Sequence, residues 1–523
     1  MNTELLKKKI LQLAMQGKLV EQDESDGTAD ELIDQILEEK EKLMSEGKIK
    51  KEKLSRIYKN PTDNHYYEKF EDGTEKDISK DISFDIPQTW IYTRLKNIGT
   101  VVGGGTPKTD VKENWENATI PWVTPADMKN IKGLYVKRGE RNISTTGLSS
   151  SSAKLLPAGS ILFSSRAPIG YIAIAENDIC TNQGFKSLVL IKKELKFFLY
   201  YQLIQKTPEI IHRASGTTFK EISGTEFGET IVAIPPLNEQ IRIVTKLNML
   251  FEKINKINKK YLKINKLKNI LRTKIIDVAI RGKFTKQLLT DESASNLIED
   301  ILKEKRMLIK ECKIKKENLS IIYKDTDNQF YEKFDDGKII NITKEIPYSI
   351  PQNWAWTRLK TICTKIVDGD HNPPPAQPHK TDFIMLSAKN IQNDKLVNLE
   401  DARYLNKTDY ELGKKRINLQ KEDILLTIVG TLGRSCIYDD NKNILFQRSV
   451  AVLTTLINNY FLKLILDSNY IQNKMNHEAK GTAQRGFYLK QLERILIPVA
   501  PLEEQGRIIN KKNNIFNYIK TAE

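Results

Sequence analysis

Between residues 243 and 278 apolar side chains fall at Ile243, Leu247, Leu250, Ile254, Ile257, Tyr261, Ile264, Leu267, Leu271, Ile275 and Val278. The intervals run 4-3-4-3-4-3-3-4-4-3, the period of a coiled-coil seam. At about 1.5 Å per residue, such a stretch predicts a rod on the order of 50 Å long. "PPLNEQ" opens it with prolines tolerated at a helix start, and Gly282 closes it. A second seam is divided between the chain ends, with Ile508, Ile515 and Ile519 at one and Leu6, Ile10 and Leu13 at the other. These two pieces are expected to lie antiparallel against the central rod.

Two further helical patterns, "DELIDQILEEKEKL" and "SNLIEDILKEKRML", carry apolar faces at i, i+3/i+4 and predict helical hairpins over 28–57 and 293–322. Elsewhere the period changes. "ATIPWVTP", "SILFSS", "GYIAIA" and "SLVLI", then "DFIMLSA", "DILLTIVG" and "SVAVLTTLI", are short β-type runs punctuated by Gly, Pro, Asn and Asp. They predict α+β globules over 86–235 and 350–500. The remaining segments are an N-terminal helical region (1–85), a central helix (236–283), a helical hairpin arm (284–349) and a C-terminal helix (501–523).

The wording repeats. "IPQTWIYTRLK" (86–96) returns as "IPQNWAWTRLK" (350–360), and "GKIKKEKLSRIYK" (47–59) returns as "CKIKKENLSIIYK" (312–324) with 10 of 13 positions identical. "LKKKILQLAMQGKL" (6–19) aligns with "LRTKIIDVAIRGKF" (271–284), and the stretch 216–244 aligns with 481–509 at the same offset of 265. Between these flanks the text diverges: "VVGGGTPKTDVKENW" faces "KIVDGDHNPPPAQPH". The frame is repeated and the contents vary. Two periods of 265 exceed the 523 residues by only seven, so the chain is expected to form a pseudo-two-fold ring with its termini close together.

A chain of 523 residues exceeds one core. Its formal charge of +16 favours polyanionic partners, nucleic acid first. Residues 246–286 hold 13 Lys or Arg against Glu252 and Asp277, net +11. DNA-backbone or partner contact and a merely solvated lysine-rich face both account for that run. Cys180, Cys312, Cys363 and Cys436 show no paired spacing, and no run approaches the ~18 apolar residues of a membrane span. The N-terminus lacks the apolar core of a secretion signal. A cytosolic protein is expected.

The pieces "IPQTW…RLK", "TIPWVTPADM", "RAPIGYIAIAENDICTNQGF" and "AIPPLNEQIRI", with "DFIMLSAKNI", "TIVGTLGR" and "APLEEQGRI" in the second half, resemble the specificity subunit of Type I restriction–modification enzymes over essentially the whole chain. The resemblance implies two target-recognition domains, each reading half of a bipartite, asymmetric DNA site, separated by long antiparallel helices. It also implies a non-catalytic subunit that binds two modification subunits methylating adenine, joined by motor–nuclease subunits for restriction. The chain itself would hold no cofactor; S-adenosylmethionine, ATP and Mg would belong to those partners. One departure is that the second helical repeat is split between the termini and is seven residues short.

Base edges are read best by Arg on guanine and by Asn or Gln on adenine. Candidates in the first domain are Lys108, Thr109, Arg166, Asn182, Gln183 and Lys186. In the second they are His371, Lys389, Asn390, Arg434, Gln447, Arg448 and Arg485. Each is weighed against an ordinary surface or turn side chain, and Lys or Arg contacts to phosphate would position without specifying.

Catalytic signals are weak. "HNPPPAQP" (371–378) places Pro375 where an adenine methyltransferase loop needs an aromatic to stack on the flipped base, so a rigid turn is expected. "VGGGT" (102–106) lacks the Gly-Lys-Ser/Thr ending of a phosphate loop. His371 and His379 show no ligand partner at metal spacing, and Ser164 and Ser165 lack a nucleophile elbow. The rival functions are a self-contained adenine methyltransferase, separable by intrinsic S-adenosylmethionine binding, and a coiled-coil adaptor displaced from DNA by any duplex.

Overall fold

The computed structural model describes residues 3–131, 133–216, 220–440, 442–481 and 485–521. The chain ends on which the ring expectation rests, Met1 and Glu523, lie outside the described residues. The chain divides into two units, Met1–Tyr261 and Leu262–Glu523. No helix among the described residues is long and apolar enough to cross a membrane.

In the first unit, helix Thr3–Met15 stops at Gly17, whose φ of +68° only a residue without a Cβ adopts freely. A Cβ there would also sit 2.4 Å from Pro87 Cγ. Helix Ala29–Ser45 buries Ala29, Ile33, Ile36 and the aliphatic stem of Lys40. The chain then forms an antiparallel meander of Ser55–Lys59, Tyr66–Phe70 and Glu75–Asp77, with Ile57 opposite Glu68 and Tyr67 opposite Asp77.

This meander corrects the predicted helical hairpins. Gly47 takes φ +71° and ends the helix, and "SRIYK" alternates buried and half-exposed positions, the period of a strand. The second unit repeats the correction: helix Ala294–Lys310 is followed by the meander Ser320–Lys324, Phe330–Phe334 and Ile339–Asn341. The segments 1–85 and 284–349 are therefore each helix plus meander. The lysine-rich stretches after each helix carry no apolar period of their own, which let the helical reading run on.

Each variable globule is tied at its base by a two-stranded pair. Ile91–Arg94 pairs with Ile231–Ile234, and Ala355–Arg358 pairs with Leu496–Val499. Between these ties the first globule holds a five-stranded sheet, in spatial order Gly99–Gly103, Lys186–Leu190, Ile161–Phe163, Ile172–Ala175 and Tyr135–Val136. A second sheet orders Cys180–Thr181, Ile120–Val123 and Arg141–Ile143, and helix Lys196–Arg213 packs alongside. The second globule has a four-stranded sheet of Cys363–Asp368, Val450–Thr455, Ile424–Thr427 and Ser435–Ile437. Beside it lies a three-stranded sheet of Arg403–Tyr404, Phe383–Leu386 and Asn443–Phe446.

The central helix is continuous from Leu237 to Ile280. Ile243 and Leu247 join a core with Leu11, Met15, Trp90 and Phe198, and Ile254 and Ile275 are buried as well. Ile257, Tyr261, Ile264, Leu267, Leu271 and Val278 are exposed. In the first helix the core side is Leu11, Ala14 and Met15 rather than the expected Leu6 and Leu13, because those three face Trp90 and Ile243.

The repeated phrases are joints. Trp90 Nε1 donates to Glu239 Oε2 at 2.8 Å, and Trp354 Nε1 donates to Glu504 Oε2 at 2.9 Å. Gln22 and Gln287 donate to the same two carboxylates at 2.6 and 2.7 Å. Arg94 grips buried Glu68 through Nε at 2.7 Å, and Arg358 grips Glu332 at 3.0 Å. Buried Lys40 and Lys305 close each joint, on Glu52 and Gly99 O in one unit and on Glu317 and Lys360 O in the other. In "IPQxW…RLK" the Trp and Arg therefore recur because each fills a place in a buried polar joint, where an unmatched partner is costly, and the Pro recurs because it packs against the helix-ending Gly17 or Gly282.

Candidate nucleic-acid interface

In the first unit the candidates sit on loops that the two sheets bring side by side. Strand Gly99–Gly103 runs out into Gly104 and Gly105, which press on neighbouring backbone. A Cβ on Gly104 would come 2.0 Å from Asn182 O, and one on Gly105 would come 2.2 Å from Ala153 N. Close packing accounts for the second and third glycines of "VGGGT", Gly104 and Gly105. Gly105 N donates to Thr181 O at 2.8 Å, and Thr106 Oγ1 donates to Gln183 Oε1.

Beyond this contact, Lys108 O accepts from Asn114 Nδ2 and Trp115 Nε1, both at 3.0 Å. The backbone is held while the Lys108 and Thr109 side chains stay exposed. Arg141, which the sequence reading passed over, stacks 3.6 Å above the Trp115 ring. Nothing in its local sequence marks it, since it is brought there by pairing of Arg141 with Trp122 across two strands.

Asn182 uses its Oδ1 to accept from Gly184 N at 2.9 Å, so that oxygen shapes the turn. Ser165 N donates to Gly184 O at 2.7 Å, drawing Arg166 beside the Lys186 strand. Both cations then meet Glu221, with Arg166 Nη1 at 3.4 Å and Lys186 Nζ at 3.2 Å. All six candidates of this domain therefore fall on three neighbouring segments.

In the second unit a cleft of about 370 Å³ is lined by Lys389, Gln447 and Arg448, with Ser387, Ala388, Val429–Thr431 and Ser449. Ala388 N donates to Ser449 Oγ at 3.0 Å and Gln447 N to Leu386 O at 2.9 Å, fixing the two loops against each other. His371 lies next to this cleft, since Asp370 bridges Gln447 and Arg448 N donates to Asp370 O at 2.9 Å. Asp368 was overlooked as a partner for His371: its carboxylate stands 2.7 Å from His371 Nε2 and takes Arg416 Nη2 at 2.6 Å. Among the described residues no cluster of His, Cys, Asp and Glu is arranged to hold a metal.

Arg434 and Arg448 are exposed, and neither guanidinium has a partner among the described residues. Arg485 O accepts from Gly430 N at 2.9 Å, and its guanidinium donates to Asn476 O. Asn390 is a correction. It is 1% exposed, its Oδ1 accepts from Ser387 N at 3.1 Å, and its Nδ2 donates to Val397 O and Asn398 O, both at 3.1 Å. Its amide is spent on the loop and cannot reach a base. Asp127 does the equivalent work in the first unit, accepting from Thr124 N at 2.7 Å and Glu140 N at 2.9 Å.

The two faces thus share a backbone plan and differ in their side chains. A family model for the Type I restriction modification DNA specificity domain matches residues 87–269 and 351–521. The chain belongs to this specificity-domain family.

Its curated relatives include the Type I restriction enzyme MjaIX specificity subunit of Methanocaldococcus jannaschii, 42% identical over 176 residues. That match covers 33% of this chain and 39% of the relative, so the chain spans well under half the length of this relative. The EcoBI specificity subunit of Escherichia coli is 25% identical, with 63% of this chain and 60% of the relative covered. The EcoAI specificity subunit of Escherichia coli is 23% identical across 98% of this chain and 88% of its own length. Among solved structures, one from work on complex assembly and conformational transition of the type I R-M system has a TM-score of 0.52 and 16% identity. It covers 84% of this chain and 93% of its own, a likeness of fold.

Proposed function

We propose that this specificity-domain chain is the DNA sequence-recognition subunit of a cytosolic Type I restriction–modification complex. It binds a bipartite, asymmetric site and directs adenine-N6 methylation and restriction by partner subunits. The observation that carries this function is the contrast between joints repeated residue for residue and two faces that are not. Identical joints suit two copies of one partner, the modification subunit, and different faces suit two different half-sites. Motor–nuclease subunits would complete the restriction assembly. No catalytic step is assigned to this chain, and S-adenosylmethionine, ATP and Mg are assigned to the partners.

In the first domain Lys108, Thr109 and Gln183 are the exposed donors, with Arg166 and Lys186 beside them. In the second, Lys389, Gln447 and Arg448 line one cleft, with His371 at its side, and Arg434 is exposed on the same unit. Arg and Gln supply bidentate base contacts, while Lys contributes mainly phosphate contacts.

The test is a methylome. The chain is expressed with its neighbouring methyltransferase in a methylation-free host, and modified adenines are mapped by single-molecule sequencing. A split, asymmetric motif that vanishes without this chain is the expected result. Modified adenines with this chain alone would make it the methyltransferase, and none with an active partner would leave a non-specific adaptor.

A further inference from the structure

We propose that Glu221 sets base discrimination in the first domain by fixing the pose of Arg166 on the DNA-reading face; this rests on the DNA-recognition function above. The carboxylate divides its two oxygens between two cations, Oε2 toward Arg166 Nη1 at 3.4 Å and Oε1 toward Lys186 Nζ at 3.2 Å. Its own backbone is firmly placed. Glu221 N donates to Ser215 O at 2.8 Å, Ser215 N donates back to Glu221 O at 3.1 Å, and the next residue, buried Ile222, donates to Ser165 O at 3.1 Å.

Stability does not account for the Arg166–Glu221 pair. The Arg166 and Glu221 side chains are 37% and 36% exposed, and ion pairs at such exposure contribute little to folding. Nor is the Glu221 carboxylate repeated, although its position lies in the stretch 216–244 that aligns with 481–509. Glu221 forms bridges with Ser215 and Arg166, and the second unit forms the same two bridges between Gly486 and Lys480 and between Gly486 and Val429. Glycine therefore stands where Glu221 stands, and a hydrophobic residue stands where Arg166 stands. Joint carboxylates such as Glu68 and Glu332 are kept in both units, whereas this one is present in the first unit alone.

The chemistry fits a reader of base edges. Glu221 engages the Nη1 side of Arg166 and leaves the Nε/Nη2 edge without a partner among the described residues. Paired N–H donors of that kind match guanine O6 and N7. A free arginine at the same place would settle on any phosphate. One carboxylate between two cations also removes part of the sequence-independent attraction to the backbone. Glu221 is thus a positioning residue: it acts through Arg166 and need not touch DNA.

The experiment uses the full chain with its methyltransferase partner, binding duplexes that carry single base-pair changes in each half-site. For Glu221→Gln, discrimination is expected to fall on the order of tenfold at one base pair of one half-site, with the other half-site unchanged. Arg166→Ala should lose the same position, and the double variant should be no worse than Arg166→Ala alone. Glu221→Asp keeps the charge but shortens the reach, and should show the same single-position loss; it also serves if the Gln variant does not fold, as judged by its melting curve. Unchanged discrimination in both Glu221 variants would overturn the proposal. So would an equal loss at every position, or a loss at a position different from that of Arg166→Ala. A parent complex with no split motif would instead remove the underlying DNA-recognition function, a result visible before any variant is made.

Discussion

The indole N–H of Trp90 ends on the carboxylate of Glu239, 2.8 Å away and 149 residues along the chain. Gln22 donates to the other oxygen of that carboxylate, so three distant segments meet on one side chain. Glu239→Ala leaves the buried Trp90 N–H without its acceptor, a loss of about 1–3 kcal/mol, while the exposed Gln22 amide keeps its bond to Gly17 O. Urea unfolding of this variant should show the first unit destabilised by roughly 1–3 kcal/mol. Glu504→Ala should do the same to the second unit, where Trp354 and Gln287 lose the matching acceptor. An unfolding midpoint equal to the parent's in either variant would contradict the joint.

Arg94 and Glu68 give a pH dependence with a definite sign. Burial alone would push the Glu68 carboxyl up, but hydrogen bonds from Arg94 and Ser55, with the Arg94 charge, outweigh it and hold it below its ordinary 4.5. A carboxyl depressed in the folded state contributes stability that is complete above its unfolded value and is lost as pH falls through the folded one. The first unit should therefore lose stability in acid below about pH 4.5, the ordinary value for the group. Glu68→Gln should flatten that part of the curve. At neutral pH the same substitution should cost about 1.5–3 kcal/mol, because Arg94 loses its buried counterion and keeps only the Glu229 carboxylate, 3.1 Å from its Nε. Chemical denaturation at stepped pH, parent against variant, measures both.

Cys312 stands where the first unit has Gly47, in the turn that ends the corresponding helix. Gly47 takes φ +71° and Cys312 takes +57°, a left-handed conformation that costs a residue with a Cβ about 1–2 kcal/mol. Glycine returns about 0.4–1 kcal/mol of that through the freedom it gives the unfolded chain. Cys312→Gly should therefore stabilise the second unit by roughly 0.5–1 kcal/mol. A lower unfolding midpoint than the parent's would show the turn to be unstrained.

Much of the frame was legible because its residues are repeated at a constant offset and each has one obligatory partner. Trp90, Arg94, Gly17 and Glu239 all stand out in that way. What misled was local: the lysine-rich run after Ser45 has neither helical nor strand period, so the strand at Ser55–Lys59 was absorbed into a helix. On the reading faces the sequence could offer only residue types. Asn390 and Gln447 look alike as adenine readers, yet one amide is enclosed by Val397 and Asn398 and the other lines a cleft. Glu221 gave no signal, since a carboxylate matters there only because strand pairing places Arg166 and Lys186 on its two sides.

That contrast between Asn390 and its neighbours is itself testable. Asn390→Ala removes the three hydrogen bonds of a buried amide and leaves Val397 O, Asn398 O and Ser387 N short of partners. It should destabilise the second unit by about 2–4 kcal/mol. Because the amide cannot reach DNA, the base preference of whatever folded protein remains should be unchanged. Arg448→Ala removes an exposed side chain with no partner among the described residues, so stability should stay within about 0.5 kcal/mol of the parent. Its effect should fall on DNA. A lost guanine contact relaxes one position of one half-site by about 1–3 kcal/mol, whereas a lost phosphate contact weakens all sequences alike and lowers the salt slope by about 1. Thermal melting paired with binding to single-substitution duplexes separates these outcomes. A change in preference with Asn390→Ala, or a large loss of stability with Arg448→Ala, would reverse the roles assigned to the two side chains.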